Sequence, residues 1–296
     1  MVWLDLKNIN EVIIMKICVL GSGTMGQGIV SFLATMPFVK NIFLWTRNEA
    51  DIIARADSVK KRIIKQGERA GIDEDKSLEY FSKIKVVSKF DDLVTAEFYI
   101  EAVAEDANIK KDLFYKIGNQ LPDDAIVATN TSSLSVTELS MCIKNPERFI
   151  GIHFFNPVVA MTLVELIVGL NTSSQTLEKV KDIIKKTGKE PVVVNDSPGF
   201  VVNRMLIPMI NEAVGIYAEG VASVEDIDKA MMLGANHPIG PLALADLIGT
   251  DVCLSIMETL HAETGDSKYR AHPLLRKTVR AGFLGRKVKR GFYEYD

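Results

Sequence analysis

The segment Gly21-Ser22-Gly23-Thr24-Met25-Gly26 constrains this chain more than any other. It stands between a short apolar run, Lys16 to Leu20, and apolar residues at helical spacing from Ile29 to Leu33. A strand, a glycine turn and a helix in that order form the opening of a βαβ unit. The first glycine permits the tight turn, the second lets the backbone approach a pyrophosphate, and the third lets the helix pack close to the strand. The helix N-terminus adds N–H groups and positive dipole for an anion. The spacing therefore predicts a Rossmann-type dinucleotide-binding domain, with Gly21, Gly23, Thr24, Met25 and Gly26 as cofactor contacts.

Beyond the turn, strand patterns at Asn41–Trp45, Ile84–Val87, Phe98–Val103, Ala125–Ala128, Phe149–His153, Leu163–Ile167 and Pro191–Val194 alternate with helical patterns. The helices fall at Asp51–Gln66, Ile109–Ile117 and Leu177–Lys186. That alternation predicts a doubly wound α/β domain with a parallel sheet covered on both faces. Asn195-Asp-Ser-Pro-Gly199 is a cluster of turn formers, and every long segment after it has helical periodicity: Phe200–Glu219 with Pro208 expected to kink it, Val224–Leu233 and Leu242–Leu260. The expected domains are a Rossmann domain at 15–196 and an all-helical C-terminal substrate and dimerisation domain at 197–296. Residues 1–14 form an extension of no assigned function.

Composition narrows the class further. With 296 residues, 47% hydrophobic and 25% charged, the chain suits two globular domains. A formal charge of -3 supplies no broad cationic field for nucleic acid. No apolar run is long enough for a membrane helix, and Asp5 and Glu11 do not suit a signal peptide, so a soluble cytoplasmic protein is expected. Cys18, Cys142 and Cys253 lie far apart without metal or disulfide spacing, which fits a reducing compartment. His237, His261 and His272 have no carboxylate or cysteine at ligand spacing, so no metal site is expected.

The end of the second strand, about 20 residues after the glycine turn, is where an acid would accept from the adenosine ribose of NAD. Here stand Thr46 and Arg47. Thr46 has no charge to repel a 2'-phosphate, and Arg47 offers a guanidinium that pairs with one. NADP(H) is expected over NAD(H). The competing reading leaves Arg47 as a solvated loop residue and gives the ribose to Glu49, which keeps NAD(H) in play.

His153 lies at a strand end in Gly151-Ile-His-Phe-Phe-Asn-Pro157, and Glu165 lies within the next strand. When an alcohol loses hydride its hydroxyl proton must also leave, and histidine suits that task near neutrality. A glutamate bonded to the ring would orient it and support its charge. In isolation such a histidine is more often a structural residue.

The chain from Met15 onward resembles the 3-hydroxyacyl-CoA dehydrogenase family, most closely its short-chain bacterial branch. The resemblance rests on GSGTMGQGI, IEAVAED, NTSSLS, HFFNP, LVELI, SPGFVVNR, NEAVGIYAEG, EDIDKAMMLGANHPIGP and LGRKVKRGFYEY, in that order. It implies that His153 is the acid/base, with Glu165 as its orienting partner. Ser132 and Asn203 would contact the reacting oxygen or the histidine, and both also count as substrate contacts. Glu105 and Lys110 are implied to contact the nicotinamide ribose or phosphates, Asn156 the cofactor or substrate, and Lys287 the cofactor from the helical domain. The bland alternatives are a helix cap for Ser132, a helix hydrogen bond for Asn203 and a helix-surface pair for Glu105 and Lys110. Arg62, Lys65 and Arg69 share one helix face that either holds the phosphates of CoA or is simply solvated. Most family members carry Asp where this chain has Thr46-Arg47.

The expected reaction is reversible hydride transfer between NADP(H) and C3 of a short acyl-CoA, with acetoacetyl-CoA and (S)-3-hydroxybutanoyl-CoA as the pair; the stereochemistry is implied by the resemblance alone. Domain motion during turnover and a homodimer through the helical domain are expected. A hydroxyacid dehydrogenase acting on a free acid and a non-catalytic dinucleotide-binding protein are the competing readings.

Overall fold

A computed structural model describes residues 15–93 and 96–296; the 1–14 extension lies outside them. The described chain forms two compact units. The first takes the residues up to Thr131 and then Ser135 to Asp196, and the second takes Ser132–Leu134 and Ser197–Asp296. A boundary drawn at 196/197 alone leaves out Ser132–Leu134, which belongs with the helical unit.

The first unit is built on an eight-stranded sheet in the order β3-β2-β1-β4-β5-β6-β7-β8. Its strands are β1 (Met15–Leu20), β2 (Val39–Trp45), β3 (Ile84–Val87), β4 (Phe98–Glu101), β5 (Ile126–Thr129), β6 (Phe149–Phe154), β7 (Leu163–Val168) and β8 (Glu190–Asn195). The helices are α1 (Thr24–Leu33), α2 (Ile52–Ala70), α3 (Glu74–Ser82), α4 (Ala107–Gly118), α5 (Val136–Ser140) and α6 (Ser174–Lys186). The chain leaves β1 toward β2 on one side and returns to β4 on the other, so β1 and β4 flank the point where strand order reverses. In open α/β sheets, ligands sit in the crevice at the carboxyl ends of those strands.

An all-parallel sheet was the expectation, and one strand departs from it. β7 runs antiparallel to β6 while β8 is parallel to β7. The connection 155–162 holds no helix and is too short for a crossover, so the chain must turn straight back. That reversal places His153 directly opposite Glu165 in the register.

Apolar periodicity accounts for the layers. α2 buries Val59, Ile63 and Gly67, four residues apart, and leaves its basic side chains on the other face. Ile17, Val19, Ile42, Leu44, Ile100, Ile152 and Leu166 from the sheet pack with Ile29, Leu33 and Ile184 from the helices. Each large apolar side chain so buried stabilises by roughly 1.5–3 kcal/mol.

The helical unit comprises α7 (Val202–Ala218), α8 (Val224–Gly234), α9 (Pro241–Ile248), α10 (Thr250–Thr264) and α11 (Pro273–Arg280). Pro208 lies inside α7 and cannot donate to the carbonyl one turn back. The single helix expected over 242–260 is two. Gly249, at φ +108°, breaks it, and an added Cβ there would stand 2.8 Å from Asp251 Oδ1 and 3.2 Å from Lys287 Nζ. Apolar periodicity runs through the break because α9 and α10 both turn toward one core, which includes Ile207, Ile210, Val214, Leu242, Met257 and Leu260.

Two buried acids hold this unit together. Asp246 accepts from the N–H groups of Phe292 and Tyr293, each at 2.9 Å, and from the Tyr295 hydroxyl at 3.0 Å. Asp228 accepts from the N–H groups of Leu242 and Ala243 and from the Tyr293 hydroxyl. Burial first, and then the Asp228 carboxylate, push the Tyr293 hydroxyl well above its ordinary pKa. His272 caps α11, its Nδ1 accepting from the Leu274 N–H at 3.1 Å.

Candidate active site

The glycine turn is shaped for close approach. Gly21 has φ +121°, and an added Cβ would fall 2.5 Å from the Ala102 carbonyl oxygen. A Cβ on Gly26 would fall 1.8 Å from the Gly21 carbonyl oxygen, whereas one on Gly23 would meet nothing within 4 Å. The turn is thus packed beneath and open above. Gly23 caps α1 without a side chain, and the first turn, which begins with Thr24 and Met25, carries no acid. Its N–H groups suit a phosphate, so these residues fit a dinucleotide.

At the end of β2, Thr46 is 3% exposed and its hydroxyl accepts from Ser22 Oγ at 3.0 Å. Arg47 and Glu49 beside it are exposed. Ser22 was not singled out from the sequence, and neither was Gln27. The Gln27 amide donates to the Ser22 carbonyl at 2.9 Å and accepts from Ser58 at 2.7 Å, tying the turn to α2.

At the other side of the crevice, Glu105 and Lys110 are not a helix-surface pair. Glu105 precedes α4, and Lys110 is 1% exposed. The Lys110 ammonium lies 2.7 and 2.8 Å from the two oxygens of Glu101 and 3.2 Å from Glu105 Oε2. Thr131 donates to Glu105 Oε1 at 2.7 Å. Phe98–Val103 was expected as strand throughout; β4 stops at Glu101, where this charge cluster begins. An acid inside the otherwise apolar run Phe98–Ala104 was the available signal, since such residues are seldom fully buried without a partner.

His153 and Glu165 are 6% and 1% exposed, with His153 Nδ1 2.8 Å from Glu165 Oε2. An ionised carboxylate only accepts, so Nδ1 carries the proton and the lone pair falls on Nε2. The Phe155 ring centroid lies 4.3 Å from the imidazole. Asn130 Oδ1 accepts from the Phe154 N–H at 3.0 Å, holding the end of β6 to the end of β5. Asn156 is exposed beyond that end and precedes a cis Pro157.

In the helical unit, Asn203 is 9% exposed and its amide donates to the Ser132 carbonyl at 3.1 Å, not along its own helix. Ser132 does not cap α5. Ser135 does, accepting from the Glu138 N–H at 3.2 Å. Lys287 is exposed, with its ammonium 2.6 Å from both oxygens of Asp251.

Arg62, Lys65 and Arg69 do share a face, and the face is concave. With Ser58, Lys61, Gln66, Ala70, Pro157 and Val159 they line a groove of about 570 Å³.

Family comparison agrees with this arrangement over nearly the whole chain. Residues 16–197 match the 3-hydroxyacyl-CoA dehydrogenase NAD binding domain, and residues 199–295 match the 3-hydroxyacyl-CoA dehydrogenase C-terminal domain. The chain belongs to the 3-hydroxyacyl-CoA dehydrogenase family. Among its relatives, a 3-hydroxybutyryl-CoA dehydrogenase of Clostridioides difficile is 51% identical over 95% of this chain and 100% of its own. One from Bradyrhizobium diazoefficiens is 46% identical over 96% of both chains. The crystal structure of (S)-3-hydroxybutyryl-CoA dehydrogenase from Ralstonia eutropha superposes with a TM-score of 0.90 at 43% identity, covering 96% of this chain and 99% of that one.

Proposed function

We propose that this chain catalyses reversible hydride transfer between NADP(H) and C3 of a short 3-hydroxyacyl-CoA, with (S)-3-hydroxybutanoyl-CoA and acetoacetyl-CoA as the pair. The buried contact between His153 and Glu165 on this family's scaffold carries the reading. The glycine turn from Gly21 to Gly26 would hold the dinucleotide, whose nicotinamide would supply the hydride acceptor in oxidation and the donor in reduction. The protein's part is proton transfer and placement. Nε2 of His153 takes the hydroxyl proton as the alcohol is oxidised, and Glu165 stabilises the charge that the ring acquires. Ser132 and Asn203 donate to the oxygen on which charge develops.

The cofactor preference rests on Thr46 and Arg47. With no carboxylate at the end of β2 to repel it, a 2'-phosphate would find the exposed guanidinium of Arg47 beside the paired hydroxyls of Ser22 and Thr46. The groove along α2 supports a CoA nucleotide held by Arg62, Lys65 and Arg69, with Pro157 in its wall only a few residues beyond His153. A homodimer through the helical unit is supported by exposed Met205, Val221 and Leu233, 73%, 69% and 77% exposed, which a second copy would cover.

The test is initial rates of acetoacetyl-CoA reduction with NADPH and NADH side by side, with free 3-oxobutanoate as control. Thioester turnover favouring NADPH is the expected result. An NADH preference would overturn the cofactor assignment, and activity on the free acid alone would overturn the substrate class. The groove has its own test: Lys65→Ala should raise KM for acetoacetyl-CoA about three- to tenfold with kcat unchanged, the effect of one exposed charge-assisted contact. A truncated thioester without the nucleotide should show no such change; equal effects on both would remove CoA from the groove.

A further inference from the structure

Glu101 is 0% exposed at the end of β4, yet its carboxylate is fully engaged. The Val103 N–H donates to Oε1 at 2.6 Å, Thr129 Oγ1 donates to Oε2 at 2.6 Å, and the Lys110 ammonium reaches both oxygens. An ammonium, an amide N–H and a hydroxyl form a donor set suited to an ionised carboxylate. Lys110 then continues to Glu105, which Thr131 also holds. Two carboxylates share one ammonium, so the cluster carries a formal charge of -1.

Stability alone is a weak reason to keep such a group, because a buried ion pair seldom outperforms apolar packing. Its position supplies a stronger one. The glycine turn lies against the residues that follow Glu101: a Cβ on Gly21 would stand 2.5 Å from the Ala102 oxygen and 2.8 Å from the Val103 nitrogen. The β2 side of the crevice, where Thr46 lies, is the adenosine side, so the β4 and β5 side, with Glu105 and Thr131, faces the nicotinamide half. The oxidised nicotinamide carries a positive charge and the reduced one does not.

We infer that Glu101 is a positioning residue of the cofactor site, and that its charge, relayed through Lys110 to Glu105, makes the site favour the oxidised dinucleotide over the reduced one. This rests on the dinucleotide reading above. Lys110 sets the orientation of Glu105 and halves the charge of the two acids; Glu101 keeps Lys110 from cancelling Glu105 altogether. The readout is the ratio of two dissociation constants, which a merely structural role would leave alone.

The experiment measures Kd of the reduced dinucleotide by fluorescence and of the oxidised one by competition, on the full chain, in wild type, Glu101→Gln, Lys110→Gln and the double variant. Thermal melting identifies the folded ones. Glu101→Gln brings the cluster to zero charge and should weaken oxidised relative to reduced binding by about three- to tenfold. Lys110→Gln, whose amide still donates to Glu101, brings it to -2 and should move the ratio the other way. The double variant returns to -1 and should restore it. Either single variant suffices if the other fails to fold. Folded variants whose two constants move together would overturn the inference and leave the dinucleotide reading intact; a wild type that binds no dinucleotide would overturn both.

Discussion

His153→Asn should lower kcat for acetoacetyl-CoA reduction by about 10³-fold, within the span that a positioned general acid or base contributes. Asparagine is close in volume and can accept from neighbours, but it cannot carry a proton to and from the substrate oxygen. NADPH binding, measured by fluorescence titration, should be unchanged, because the glycine turn is formed by β1 and α1 and not by β6. Glu165→Gln should cost nearly as much. It removes the charge opposite Nδ1 that supports the imidazolium, the form that gives its Nε2 proton to the substrate oxygen in reduction. An active His153→Asn variant would show that the ring is structural and would return the chemistry to another group.

Thr46→Asp should reverse the cofactor preference, lowering kcat/KM with NADPH by about ten- to a hundredfold while raising it with NADH. The magnitude is that of gaining or losing one charged hydrogen-bond partner. A carboxylate there would accept from Ser22 as Thr46 does now, so the turn should keep its shape, and it would repel a 2'-phosphate while bonding the ribose hydroxyls of NADH. Arg47→Ala should weaken NADPH and leave NADH alone. Side-by-side initial rates check both variants, and a Thr46→Asp enzyme with its preference unmoved would place the adenosine ribose elsewhere, with Glu49 the next candidate.

Much of this molecule was legible before any coordinates. The strand, glycine turn and helix announce themselves because tight turns and close backbone approach demand glycine, a requirement set by local sterics. Strand and helix periods were readable for the same local reason, since each residue's burial follows from its phase. The reading failed where a choice depended on a partner distant in sequence. Apolar spacing runs unbroken through Gly249, and only its backbone at φ +108° and its neighbours Asp251 and Lys287 show that the chain turns there and leaves no room for a side chain. The antiparallel turn of β7 was missed because a strand's period is the same in either direction. A helix-surface pair stayed open as the alternative for Glu105 and Lys110, five residues apart, because nothing in their spacing points to Glu101 behind them.

The sequence by itself determined the Rossmann opening, the helical second half, and the residue types at the candidate site, including the missing acid at Thr46. Those are properties of composition and spacing along one segment. Only the tertiary structure decided that His153 faces Glu165, that Ser22 and Thr46 join across the turn, that four basic residues of α2 line a groove, and that Lys110 is buried between two acids. The physical reason is common to all four: a hydrogen bond or ion pair depends on a few ångströms between side chains, and strand order, not sequence distance, sets that separation.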